Sequence, residues 1–259
     1  MTELILLKIG GSIITEKDVS EPKINTKNLR RICKEIAEGY EDGSIKLIIV
    51  HGAGSYGHPI VKRTGIHEGI TRPEQVLSFA QTQVLQNILN SEVCQVLQEF
   101  HLPAIPVQPS ASAIMEKKRI LSLNFEVIRD FLELSLIPVL FGVPAFDKTQ
   151  KCSILSGDQL IVFLARKLNP QKIIFATNVD GILGKDQQLI EKITSDDFES
   201  IQDSFYETSY DDVTGSMAGK ISELKSLTGL KSYIINGNKN DLIRNILKGK
   251  NVRGTVIEF

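Results

Sequence analysis

The sequence predicts a three-layer αβα sandwich around a mostly parallel central sheet. Three observations carry that reading. Short apolar runs alternate with stretches of helical periodicity along the whole chain, the order expected of an α/β fold. The runs are short and bounded by polar residues, as in Lys46-Leu47-Ile48-Ile49-Val50, the pattern of a buried strand. Several end in glycines or polar side chains, at the carboxyl ends where open α/β sheets bind ligands.

The elements follow in order. Residues 4–9 read as a first strand ending in Lys8-Ile9-Gly10-Gly11-Ser12. Lysine beside paired glycines suits a phosphate, although the order differs from the GxxxxGK[ST] loop. Lys17 follows, and alone it reads as a solvated lysine. Asn25 or Thr26 is placed to cap a helix through Leu29, Ile32 and Ile36. The second strand opens into His51-Gly52-Ala53-Gly54-Ser55-Tyr56-Gly57-His58. Its glycines let backbone approach a ligand, and a loop of this kind feeding a helix is an anion site. The same loop also reads as a tight turn with two surface histidines. Residues 59–69 are a mixed segment. A long helix is expected over 73–100, with Val76, Phe79, Ala80, Val84, Leu85, Ile88 and Leu89 at helical spacing. Core packing is the plain role for Phe79 and Thr82, and facing a ligand is the other.

Residues 101–107 read as a strand, 108–112 as a loop, 125–134 as a helix and 137–142 as a buried strand. A hairpin or excursion is expected over 143–153. A soft boundary near residue 150 divides the single domain, 1–259, into lobes 1–150 and 151–259, with no linker tract between them. Ser156-Gly157-Asp158 opens a helix, and Asp158 suits its dipole there. A strand over 172–176 ends in Thr177-Asn178-Val179-Asp180-Gly181. A short helix is expected over 192–202. Asp212-Val213-Thr214-Gly215-Ser216-Met217-Ala218-Gly219-Lys220 leads into a helix over 221–227. Lys220, early in it, is badly placed for a cation unless an anion is near. A strand over 232–236, a helix over 241–247 and a closing strand over 254–259 complete the chain.

Composition bounds the function. The chain has 259 residues, 42% hydrophobic and 24% charged, ordinary for a globular protein with a large core. A net charge of −1 provides no global field for nucleic acid or an anionic membrane. Cys33, Cys94 and Cys152 form neither a disulfide framework nor a CxxC pattern. The expected location is therefore cytoplasmic, with no signal peptide and no membrane-spanning run. His51 and His58 lack a nearby acidic pair, which disfavours a metal hydrolase.

Taken together, Lys8-Ile9-Gly10-Gly11-Ser12, His51-Gly52-Ala53-Gly54, Ser156-Gly157-Asp158, the segment 177–181 and the segment 212–220 resemble the amino acid kinase superfamily over nearly the whole chain. The long loop ending in Tyr56-Gly57-His58-Pro59, with Gln108-Pro109-Ser110 and the segment 234–238, is similar to the isopentenyl phosphate kinase branch. The His58 position is also shared with the fosfomycin-resistance kinase type. Three residues depart from the usual pattern: Ala53, Asn178 and Ser216. Ala53 keeps a usable N–H provided its φ is negative.

The resemblance implies transfer of the ATP γ-phosphoryl group to isopentenyl phosphate, in isoprenoid biosynthesis. It implies an acceptor-binding lobe 1–150, a nucleotide-binding lobe 151–259, ATP with Mg2+ carried by the phosphates rather than by a protein metal site, and a homodimer. Lys8 would neutralise charge on the transferred group. Lys17 and Lys220 would hold the β- and γ-phosphates, and Asp158 would orient the lysines. Gly10, Gly11, Gly52 and Gly54 would supply N–H groups. Thr177, Asp180, Gly215 and Met217 would line the nucleotide. Ala53, Gly57, His58, Phe79, Thr82 and Gly157 would complete the acceptor side, with His58 donating to the acceptor phosphate and His51 structural. Two alternatives stay open: a kinase of another small phosphate, phosphonate or carboxylate, and a non-catalytic nucleotide-binding regulator.

Overall fold

The computed structural model describes residues 2–17, 19–40, 44–184, 187–197 and 217–259. For residues 217–220 only the backbone is described. The first strand, β1 (Glu3–Ile9), lies near the middle of an eight-stranded sheet. It is followed by α1 (Gly11–Ile14), α2 (Thr26–Gly39), β2 (Ile45–His51), α3 (His58–Thr64), α4 (Glu74–Glu99) and β3 (Ala104–Pro106). Then come β4 (Ala113–Glu116), β5 (Arg119–Leu123), α5 (Glu126–Glu133), β6 (Ile137–Phe141), β7 (Val143–Asp147), β8 (Lys151–Leu155) and α6 (Gly157–Leu168). The rest is β9 (Lys172–Thr177), the small hairpin β10 (Ile182–Leu183) and β11 (Leu189–Ile190), β12 (Lys192–Thr194), α7 (Met217–Leu224), β13 (Lys231–Asn236), α8 (Leu242–Leu247) and β14 (Thr255–Glu258).

The sheet order is β12-β14-β13-β9-β1-β2-β6-β3. The six strands from β13 to β3 are parallel, and β14 and β12 run the other way. Alternation along β1 explains the layers. Ile5, Leu7 and Ile9 face a core shared with α2, α4 and α8. Leu6 faces the opposite core, shared with α5, α6 and α7. Lys8 shares the face of Leu6, which directs it toward α6. A second sheet of order β5-β4-β7-β8 packs on that same side.

The three-layer fold and its mostly parallel sheet stand as expected, and 143–153 is the hairpin β7–β8. Three details differ. The hairpin β4–β5 carried no turn signal, because its tip is Lys117-Lys118, two lysines at φ 49° and 64° instead of the usual glycine or asparagine. Of the segment 192–202, expected to hold a short helix, residues 192–194 form a strand, since Ile193 pairs with Ile257 at the sheet edge and is fully buried, helix follows at 195–197, and 198–202 lies outside the described residues. On α4, Val76, Val84 and Ile88 are exposed, while Thr82, Gln86 and Asn90 are buried. Among the described residues no helix is long and apolar enough to cross a membrane.

Candidate active site

The carboxyl ends of β1 and β2 carry the two glycine loops, and adjacent parallel strands bring them together. They meet backbone to backbone. A Cβ on Gly11 would lie 2.3 Å from Gly54 N, and one on Gly52 would lie 2.6 Å from Gly11 N. No side chain fits there, so glycine at these positions serves loop against loop. Gly54 also has φ +51°. Gly57 is buried against Gln86 and Ala53, where a Cβ would lie 2.4 Å from Gln86 Nε2.

Not every glycine N–H is open to a ligand. The strand exits are tied to their neighbours: Gly10 N–H donates to Ala176 O (2.8 Å), Gly52 N–H to Ile9 O (2.9 Å), Gly142 N–H to His51 O (3.0 Å) and Gly237 N–H to Thr177 O (2.7 Å). Gly10 and Gly52 are therefore corrected as N–H donors to phosphate, because the sheet rim already uses those hydrogens. Gly11, Ser12, Ala53 and Gly54 are left without an N–H acceptor among the described residues. Ala53 has φ −70°, so its N–H meets the condition set by the sequence.

Lys8 and Asp158 meet beside these loops. Lys8 Nζ donates to Asp158 Oδ1 at 2.6 Å, with side chains 11% and 10% exposed. Gly157 packs on the lysine stem, where a Cβ would lie 3.2 Å from Lys8 Cε. Ser156 caps α6 by accepting from Gln159 N–H (3.2 Å), which fixes Asp158 in the first turn, where the helix dipole favours a carboxylate. Removing either partner would take this ion pair from a largely desolvated charge, a loss of about 3–5 kcal/mol for buried pairs.

The two histidines differ sharply. His51 is fully buried and stacks on Phe141 with ring centroids 5.6 Å apart. Its Nδ1 lies 3.0 Å from Gly52 O and its Nε2 3.1 Å from the Asn90 carboxamide. Burial pushes its pKa down to about 4, against the opposing pull of those two hydrogen bonds. The Asn90 atom is its carboxamide oxygen and Gly52 offers a carbonyl oxygen, so both contacts are to acceptors, and a neutral ring, with its single N–H, donates to one of them. His58 is half-buried and is the first residue of α3, with Pro59 behind it.

The remaining predicted residues are spread wider. Lys17 is exposed. Phe79 is half-buried against a small cluster of Ile60, Val61, Ile66 and Cys152. Thr82 is fully buried and its hydroxyl donates to Ser78 O (2.8 Å), so its polar group serves α4 itself. Thr177 is buried at the end of β9, its Oγ1 3.1 Å from Val179 O. Asp180 accepts from Asn236 Nδ2 and Lys239 Nζ, each at 2.7 Å, with Arg253 Nε at 3.5 Å. Those partners hold its carboxyl below the usual range. Gly215 lies outside the described residues, as do the side chains of Met217 and Lys220 in α7. Gln86 and Asn90, polar and buried under the second loop, escaped the sequence reading, since helical periodicity ranks apolar positions only.

Comparison with known proteins agrees with this architecture. A model of the amino acid kinase family matches residues 3–236. The isopentenyl phosphate kinase of Methanothermobacter thermautotrophicus is 40% identical, covering 98% of this chain and 98% of its own. That of Methanocaldococcus jannaschii is 33% identical, covering 99% of each. A solved isopentenyl phosphate kinase structure superposes with a TM-score of 0.85 at 37% identity, over 98% of this chain and 99% of that one.

Proposed function

This chain belongs to the amino acid kinase family, and from that premise we propose that it transfers the γ-phosphoryl group of ATP to isopentenyl phosphate, forming the diphosphate. One observation carries the reading: two glycine loops in backbone contact, with N–H groups that no described residue accepts from, lie beside a lysine held by a buried carboxylate. Phosphoryl transfer asks a protein for alignment and charge neutralisation more than for covalent chemistry. Lys8 acts on the charge of the transferred group, and Asp158 aims it. The N–H groups of Gly11, Ser12, Ala53 and Gly54 receive phosphate oxygens. His58 donates to the acceptor phosphate, which is already ionised near pH 7, so no general base is needed. Lys17 and Lys220 act on the β- and γ-phosphates, while Thr177, Asp180, Gly215 and Met217 border the nucleotide. Phe79 bounds the prenyl chain.

The lobes follow from the sheet. Strands from the first 150 residues fill one half, from β1 to β3, and later strands fill the other; acceptor binding is assigned to the first and nucleotide binding to the second. Among the described residues no group of three acidic, histidine or cysteine side chains gathers to hold a cation, and Asp158 is engaged by Lys8. Mg2+ is assigned to ATP, held mainly by phosphate and water. The homodimer rests on α4, where residues 75–91 carry no charge and Val76, Leu77, Val84 and Ile88 are exposed. An uncharged face meets its own copy without like-charge repulsion. Val84→Asp should yield monomers by light scattering; a chain already monomeric before substitution removes the dimer.

The test of the function is ADP formation across isopentenyl phosphate, dimethylallyl phosphate, fosfomycin, acetylglutamate and carbamate. Isopentenyl phosphate should give the highest kcat/KM. A higher value with a carboxylate or carbamate would replace the reading with a different acceptor, and no ADP with any of the five would favour a nucleotide-binding regulator.

A further inference from the structure

Backbone contact between the two glycine loops limits how close they come, but a specific bond is needed to fix how they sit. Thr15, at the end of α1, supplies one. It is 2% exposed. Its hydroxyl donates to Gly11 O at 2.9 Å and accepts Ser55 N–H at 3.0 Å. One oxygen therefore joins the loop after β1 to the loop after β2. The bare Cα of Gly54 makes room for it, since a Cβ there would lie 2.1 Å from Thr15 Oγ1. Ser55 is held from its other side as well, by Lys23 N–H donating to its Oγ (3.3 Å), and Thr15 pairs with Ile24 in an isolated bridge.

We propose that Thr15 is a positioning residue that sets the separation and orientation of the donor and acceptor loops. This rests on the assignment of the two loops to the two phosphates of the reaction. Thr15 touches neither substrate. It acts by keeping the N–H groups of Gly11 and Ser12 at a fixed offset from those of Ala53 and Gly54, so that two separately bound phosphates are also aligned. A loss of that alignment lowers the rate of transfer more than the binding of either substrate. Displacement of about 1 Å can cost on the order of 10² in rate.

The experiment compares wild type with Thr15→Val, which keeps the shape and removes the hydroxyl, and Thr15→Ser, which keeps the hydroxyl. It measures kcat, KM for ATP and for isopentenyl phosphate, melting temperature, and hydrogen exchange at the Ser55 amide. Thr15→Val should lower kcat by roughly 10–10²-fold with both KM values within about threefold, and should speed Ser55 exchange. Thr15→Ser should restore kcat and slow exchange again. A wild-type kcat in Thr15→Val well below its melting temperature overturns the proposal, as does a rise in one KM alone at unchanged kcat. Should Thr15→Val fail to fold, Thr15→Ser decides: a large loss of kcat with normal melting overturns the proposal, and retained kcat with a protected Ser55 amide supports it. If wild type makes no isopentenyl diphosphate, the functional reading falls separately. The clamp then stands or falls on whether the Ser55 amide is protected in wild type and loses that protection in Thr15→Val.

Discussion

The ends of β1 and β2 and the ends of β9 and β13 lie on the same rim of one parallel sheet, yet they are built in opposite ways. At β1 and β2, backbone N–H groups have no acceptor among the described residues and the lysine points off the strand toward a buried carboxylate. At β9 and β13, the available charge is already neutralised: Asp180 is held by Asn236, Lys239 and Arg253, and the Thr177 carbonyl is taken by Gly237. The N–H groups of Gly11, Ser12, Ala53 and Gly54 can receive an anion without giving up a bond to any described residue. At the second, the nearby cations Lys239 and Arg253 are already paired with Asp180, so an anion there meets charge that is partly spent.

Breaking the open region should have the largest effect. Lys8→Met is expected to lower kcat by about 10²–10³-fold and to lower the melting temperature by removing the ion pair of Asp158. Adding Asp158→Asn should recover the melting temperature and leave kcat low. Recovery of both by the double variant would mean that Lys8 matters only as a structural ion pair. Next comes His58. His58→Ala should reduce kcat/KM for isopentenyl phosphate by roughly 10²-fold, the scale of losing one donor to a reacting charge, whereas His58→Gln should keep part of it. A change of only a few-fold in His58→Ala would move the acceptor phosphate away from α3.

The third effect is one of pH and belongs to the scaffold under the open region. His51 has its folded pKa lowered to about 4, so its penalty is absent above the unfolded value near 6.5 and grows as pH falls. Between those values the unfolded chain takes the proton and the folded chain does not. Stability should fall by about 3 kcal/mol over that window. Urea unfolding of wild type and His51→Gln at pH 7.5 and pH 4.5 checks it, and parallel losses in the two would acquit His51. The smallest effect is expected on the closed side. The Asp180 carboxyl is held below its ordinary pKa, so its contribution is present above the unfolded value and lost as pH falls through the folded one. Its partners are well solvated, and Asp180→Asn should cost less than about 1 kcal/mol at pH 7. A melting temperature lowered as far as in Lys8→Met would erase the contrast between the two regions.

The open region was legible in the sequence because its parts are local: an apolar run, then glycines, with a lysine two residues before them. The unequal standing of His51 and His58 was legible too, from one lying on the strand and the other at the loop's end. What α4 buries was not. A helix lying under the Ala53 carbonyl and a buried imidazole needs amides on its inner face, hence Gln86 and Asn90, and the neighbouring Val84 and Ile88 turn outward, while Leu89, Val93 and Leu97 stay in the core. The meeting of Lys8 with Asp158, and of Thr15 with Ser55, depends on which strands are neighbours. Spacing along the chain carries no record of that.

The glycine N–H groups that tie each strand exit to the next make the floor of the site and the rim of the sheet one object. A ligand therefore arrives at a surface already ordered when the sheet formed. The conformational entropy that a mobile phosphate loop would lose on each binding event was lost once, during folding, so affinity for a small, highly charged substrate needs fewer contacts than it otherwise would. The corollary is thermal. Heat that loosens the sheet edge disorders the phosphate floor in the same step, and substrate saturation should raise the temperature at which that edge gives way.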